Sequence, residues 1–287
     1  MIRRFLWALR REMWEIRWIW LAPAGIAVVL VIGFGAYAFH LPARMTAAAA
    51  LDAAHQRQAL LVPYDLVAGF FMVVGLLVAA IYCVDALYGE RRDRSILLWK
   101  SLPVSDAMTV LAKLSIPLLV LPVIIWALTV AVQVTMLLTS TAILAANGQS
   151  AAPLWSQIHL VSNSMGLLYH LVALHGIAQA PLYAWLLLVS AWATRAPLAW
   201  AILPPVAIGF LERVVFGTTR FAELVLSGFS GGSSGAMKAP AGATLMDTMN
   251  AVPVTRMIVE PGLWIGFAVA GVFLIGAVRL RRSAQPI

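Results

Sequence analysis

The sequence predicts an all-α integral membrane protein with about six transmembrane helices, an amphipathic helix in front of them and both termini on the cytoplasmic side. Three observations carry this. Of 287 residues, 62% are hydrophobic and only 11% charged, against about 25% charged in an ordinary soluble domain. The apolar residues fall into six long runs. The charges fall into short blocks beside those runs.

A membrane-crossing helix needs about 20 apolar residues to traverse a hydrocarbon core of about 30 Å. The stretches Trp18–Phe39, Leu66–Leu87, Leu114–Leu138, Leu171–Trp192, Ala196–Leu211 and Pro261–Leu280 meet or approach this. Backbone groups in lipid must be bonded internally, so the runs read as helices. The third extends toward Ala146, where Asn147-Gly148 supplies a stop. The fifth is the shortest and is interrupted by Pro204-Pro205. The first has a basic lead-in like a secretory signal, but its apolar run is too long for one. It reads as an uncleaved first helix.

In front of it, Ile2, Phe5, Leu6, Leu9, Met13, Ile16 and Trp20 recur at helical spacing. Arg3, Arg4, Arg10, Arg11, Glu12 and Glu15 occupy the remaining surface, and Trp7, Trp14 and Trp18 add rings suited to the headgroup layer. Residues 1–17 therefore predict an interfacial helix, 18–280 a membrane domain and 281–287 a short tail.

Orientation follows from Lys and Arg. The segments before the first run, between the second and third, between the fourth and fifth, and at the end (counting Arg279 at the close of the last run) hold 5, 5, 1 and 3 of them, 14 in all, against 6 in the remaining connections. The richer side is the cytoplasmic one. The net charge of +8 thus belongs to topology and implies no nucleic acid. The single cysteine, Cys83, excludes an intrachain disulfide.

The connection 89–113 is the most informative segment. Five charged residues stand in succession at 90–94, followed by the apolar patch Ile96, Leu97, Leu98 and Trp99. A solvated loop needs no such patch and a span would not carry such charge, so a short surface helix is expected. Pro103 should end it. Ser105 can cap the next helix, with Asp106 in its first turn. By charge alone the segment is also compatible with a plain topogenic connection.

Tyr88, Glu90, Arg91, Ser95, Leu97, Leu98, Leu102, Pro103, Val104 and Ser105, followed by Lys113, resemble the corresponding connection of ABC-2 type transporter permeases. The six spans, the leading helix and the long last outer connection are similar as well. The resemblance implies a permease subunit of an ATP-binding cassette exporter in the bacterial inner (plasma) membrane. It implies a second permease copy, as a homodimer in a two-plus-two assembly, and a cytosolic ATPase that holds the ATP and magnesium. The 89–113 connection would be the coupling helix: Glu90, Arg91, Arg92 and Arg94 would make polar contacts or orient the loop, and Ile96, Leu97 and Leu98 would pack in the partner's groove or against the membrane helices. The outer connection 212–260 would form re-entrant helices, an expectation its Gly/Ser tract 227–235 disfavours.

This chain itself lacks the phosphate-binding loop. Its lysines are Lys100, Lys113 and Lys238, and none follows a glycine. No cofactor is expected in it. Thr129, Thr135 and Gln133 either face a pathway or bond backbone carbonyls. Glu212 and Arg213 form either a gate or a self-compensating pair. Asp85 is expected to pair with a nearby Arg. Gly262 and Gly266 permit close helix approach.

Two alternatives remain: an intramembrane hydrolase and a non-transporting regulatory membrane protein. The first needs a catalytic cluster. His170 and His175, five apart, do not share an α-helical face and have no acid between them, and His159 stands apart. Gly231, Ser233 and Gly235 match a nucleophile-elbow pattern but sit in a flexible composition.

Overall fold

A computed structural model describes residues 2–101, 104–221, 223, 259 and 261–285. The Pro103 stop, the tract 227–235 with the Gly231, Ser233 and Gly235 pattern, and most of the outer connection 212–260 lie outside the described residues. Every regular element among the described residues is helical.

Six helical stretches are long and apolar enough to cross a membrane: Trp18–Ala38, Ala53–Arg92, Asp106–Ala146, Leu160–Trp192, Pro197–Phe216 and Pro261–Ser283. They follow the six predicted runs in order. The second, third and fourth are longer than predicted, at 40, 41 and 33 residues. The cause is that charge does not end a helix. Arg57 and Asp65 extend the second run at its start, and Asp106 and Lys113 the third. At 1.5 Å per residue, 40 residues reach roughly 60 Å, about twice the hydrocarbon core.

The chain begins with α1 (Ile2–Glu15), breaks at Ile16 and Arg17, and continues as α2 (Trp18–Ala38). Leu9, Met13 and Ile16 pack on the core, while Trp7 and Trp14 are exposed. Glu12 departs from expectation. It lies buried on the inward stripe, not on the polar surface. The short α3 (Leu41–Ala48) leads to α4 (Ala53–Ala86), which packs with α2 against α8 (Leu121–Ala146). Gly75 lets α4 approach Ile125 closely, since a Cβ there would lie 3.0 Å from Ile125 Cγ1.

Spans 3 and 4 are not uniform α-helices. Between α7 (Asp106–Ser115) and α8 lies a π-helical turn, Ile116–Val120. Between α10 (Leu160–His170) and α11 (Ala180–Trp192) lie a second, Leu171–Gly176, and a 3₁₀ turn, Ile177–Gln179. Proline explains the first in part. Pro117 and Pro122 offer no N–H to the α-helical ladder, so the backbone widens to i→i+5 bonding. The two wide turns touch. Gly176 permits it, because a Cβ there would lie 2.4 Å from the Leu118 carbonyl oxygen.

After α9 (Ala152–Gln157) and the fourth span, Ala196 turns the chain in a left-handed conformation, φ 48°. The fifth span, α12 (Pro197–Phe216), is continuous through Pro204-Pro205 rather than interrupted. Pro205 leaves the carbonyl of Ala201 without its usual donor, and Trp185 Nε1 donates to that oxygen at 3.1 Å. Trp185→Phe should therefore lower the thermal unfolding midpoint, reflecting a loss of about 1–3 kcal/mol for an orphaned buried acceptor. An unchanged midpoint in a detergent melt would show that Ala201 is satisfied otherwise. The last span, α13 (Pro261–Ser283), lies along α11 through small residues. Ala270 meets Ala180 and Ala184, and Gly266 faces Pro181. Gly266 of the predicted close-approach pair is thus used within the protomer, and Gly262 meets nothing.

Candidate functional site

The end of span 2 and the connection after it fold as two short helices, α5 (Tyr88–Arg92) and α6 (Ile96–Ser101). Arg94 breaks them in a left-handed conformation, φ 59°. Ser105 then caps α7, as predicted, by accepting from the Met108 N–H at 3.2 Å.

The inner face of this connection is a buried ion cluster. Glu12, Lys113, Arg281 and Glu90 are only 2%, 2%, 4% and 6% exposed. Lys113 Nζ lies 3.0 Å from Glu12 and 3.1 Å from Glu90. Arg281 reaches Glu90 at 2.8 Å and also Asp106. Arg11 lies 3.8 Å from Glu90 and covers the Trp99 ring at 3.2 Å from its centre. The Tyr82 hydroxyl donates to Glu12 at 3.2 Å. Four carboxylates, Glu12, Glu15, Glu90 and Asp106, thus face three cations, Arg11, Lys113 and Arg281. Buried charge is tolerable only with such pairing. Glu15, at the cluster's partly exposed edge, is held above the usual carboxylate range by desolvation and then by the charge of Glu12.

A second set of bonds fastens the connection to span 4. Arg91 donates to the carbonyls of Ala191 and Ala193 at 2.7 and 3.1 Å. These stand at the C-terminal end of α11, where carbonyls lack helical partners and favour a cation. Ser190 Oγ accepts from the N–H groups of Leu87 and Tyr88 at 2.9 Å each. Lys100 donates to the carbonyls of Arg282, at the end of the last span, and Ala284, just beyond it. The connection is therefore tied to α1 and to spans 2, 3, 4 and 6, and both ends of the chain meet at this end of the bundle.

The predicted coupling residues divide by orientation. Glu90, Arg91 and Ile96 face inward and are buried. Ser95 is partly buried and donates to the Glu90 carbonyl. Arg92 and Arg94 are exposed, as are Leu97 at 61% and Leu98 at 60%. Asp85 pairs with Arg92 at 3.7 Å, as expected from its place at the span end. What remains outward is an apolar pair flanked by cations, on a base bonded to the ends of the spans around it.

The expected pathway residues are not gathered here. The Thr129 hydroxyl donates to the Ile125 carbonyl at 2.8 Å, and Thr135 to that of Ala131. Gln133 Nε2 donates to the Tyr64 carbonyl at 3.2 Å, joining spans 2 and 3. All three side chains therefore bond backbone carbonyls. Glu212 does not serve Arg213. Its carboxylate accepts from the Thr218 hydroxyl and from the N–H groups of Arg220 and Phe221.

The histidines hold a correction. His170 and His175 do share a face: their rings lie 5.4 Å apart. The wide turn at Leu171–Gly176 brings residues five apart into line, which an α-helix does not. The His175 carbonyl accepts from the Tyr183 hydroxyl at 2.8 Å. His159 is exposed and separate. Among the described residues, no group of three or more His, Cys, Asp or Glu is placed to hold a metal ion.

The ion cluster was not predicted as a unit. A signal existed: Glu12 lies on the Leu9, Met13 and Ile16 stripe, and Lys113 stands between apolar neighbours Ala112 and Leu114. Each announces a charge in need of a partner. Comparison with known protein families, with curated proteins and with solved structures gives no match.

Proposed function

We propose that this chain is the transmembrane subunit of an ATP-driven exporter, working as a pair of copies on the plasma membrane of a bacterium with two cytosolic ATPases. The observation that carries this reading is the orientation of the 89–113 connection. Its inner face is locked to four spans and the N-terminal helix by Glu90 and Arg91, while Leu97 and Leu98 stand exposed beside Arg92 and Arg94. A segment built this way can pass a push from outside the bundle into the membrane helices. The density of Lys and Arg at that end supports a cytoplasmic position for it, on the side where ATP is found. α1, with Trp7 and Trp14 outward, would then lie in the headgroup layer of the same face. ATP and magnesium belong to the partner, because this sequence has no phosphate-binding loop.

The inward and outward residues give different expectations. Affinity purification of the full chain from its own membranes should carry a cytosolic ATPase with it. Leu97→Glu with Leu98→Glu should remove the ATPase while leaving a monodisperse chain with an unchanged melt. Glu90→Ala should lose the ATPase only together with stability, since Glu90 holds Lys113 and Arg281. Retention of the ATPase by the double glutamate variant, or its absence from the intact chain, overturns the reading.

A further inference from the structure

Span 4 carries a run of polar side chains that its own fold leaves unbonded. Nδ1 of His170, Nδ1 of His175 and both amide atoms of Gln179 are buried and have no hydrogen-bond partner among the described residues. They run from the last residue of α10 to the last of the 3₁₀ turn, across the stretch where the span leaves α-helical geometry. Gln179 is 2% exposed, and the two histidines are half-buried. A buried polar atom left unbonded is costly, and in a native protein it calls for an explanation such as a water or an ion. Ionisable side chains inside a span are functional candidates by default, and π-helical turns are frequent at functional sites.

The placing of the two rings narrows the chemistry. Their centres lie 5.4 Å apart and their planes are tilted by 49°, so they do not stack. An ion that takes one nitrogen from each ring, with bonds of about 2.0–2.1 Å, stands about 3.2 Å from either ring centre. The separation of 5.4 Å then opens an angle of roughly 115° between the two bonds. That is close to the tetrahedral angle zinc takes and far from a straight line. The wide turn creates this geometry, because it brings residues five apart onto one face.

From this arrangement we infer that His170 and His175 form a two-histidine site for a late first-row divalent metal ion such as zinc. Imidazole suits such ions, whereas magnesium and calcium seek oxygen donors. No third His, Cys, Asp or Glu joins the pair among the described residues. Two protein ligands leave coordination positions open, which water fills, since both rings are half-buried rather than sealed. The ion is therefore exchangeable, unlike one in a closed four-ligand structural site. The pair is separate from the connection at 89–113, so the inference stands or falls independently of the exporter reading.

The test uses the untagged full chain in detergent, with the three exposed histidines His40, His55 and His159 replaced by Ala. His170 and His175 are then its only histidines. Equilibrium dialysis against micromolar zinc should load one ion per chain, and magnesium should load none. Loss of even an outer-shell partner of a metal ligand weakens binding by about 10–100-fold. His170→Ala and His175→Ala, each removing one of two ligands, should therefore weaken zinc binding by at least about tenfold. X-ray absorption at the zinc edge of the loaded chain should show two imidazole nitrogens. That measurement leaves the pair intact, so the test stays open even if either alanine variant fails to fold. A chain that loads no zinc, zinc binding that survives both substitutions, or a zinc spectrum with fewer than two imidazoles overturns the proposal. Water alone would then satisfy the rings.

Discussion

Lys113→Met is expected to destabilise the protein more than any other single substitution at the 89–113 connection. The ammonium is buried between Glu12 at 3.0 Å and Glu90 at 3.1 Å. Glu90 keeps Arg281 when the lysine is lost, at 2.8 Å. Glu12 keeps only the Tyr82 hydroxyl and neighbouring Arg11. Breaking a buried pair from one side costs up to about 3–5 kcal/mol, because the buried charge left behind has lost its closest cation. Methionine nearly matches the lysine stem in volume, so the loss reports charge rather than a cavity. In a thermal melt followed by tryptophan fluorescence, the midpoint should fall sharply. Adding Glu12→Gln should restore part of the loss, since it removes the stranded carboxylate. Arg92→Met gives the contrast. That side chain is half exposed and pairs with Asp93 at 2.9 Å, and exposed pairs contribute about 0–1 kcal/mol. If Lys113→Met and Arg92→Met melt alike, the cluster does not hold this end of the bundle together.

Lys113 also shows how far the sequence could be read. Its position fixes a charge at a span end, and the unequal Lys and Arg counts of the connections carry the expected sidedness. Neither says that α1 will fold back so that Glu12 meets it, 101 residues away in the chain. Periodicity placed the helices, because apolar runs and turn residues are local. It failed where partners are distant. Glu12 looked like part of a polar surface because each charge on a short amphipathic helix is assumed to face water. For Glu90 and Arg91 the resemblance implies polar contacts or orientation of the loop, and nothing local in the sequence chooses between the two. Their burial depends on the last span delivering Arg281 and the fourth delivering the carbonyls of Ala191 and Ala193. By contrast, the Ser105 cap was legible, since the donor it satisfies lies three residues on. The spacing of His170 and His175 misled for a different reason. It was judged on α-helical geometry, and the backbone there is π-helical.

The same wide turns carry the second large expectation. Gly176→Ala should destabilise the bundle although it adds one methyl group. The new Cβ would stand 2.4 Å from the Leu118 carbonyl oxygen and 3.3 Å from its carbon. Both are backbone atoms, so no rotamer change relieves the contact. Leu118 lies within the π-helical turn Ile116–Val120, whose own backbone bonding would have to change for it to withdraw. Spans 3 and 4 would have to separate where they touch. Overpacking of this kind costs about 1–3 kcal/mol and sometimes more. Gly35→Ala in span 1 is the control, since a Cβ there meets nothing within 4 Å, and a helical Gly→Ala change on its own favours the helix by about 1 kcal/mol. The two variants should therefore move the melting midpoint in opposite directions. A Gly176→Ala protein as stable as the parent would mean that the wide turns of spans 3 and 4 are not pressed together. It would also remove the reason for a glycine at the only place where two irregular backbones among the described residues meet in mid-bundle.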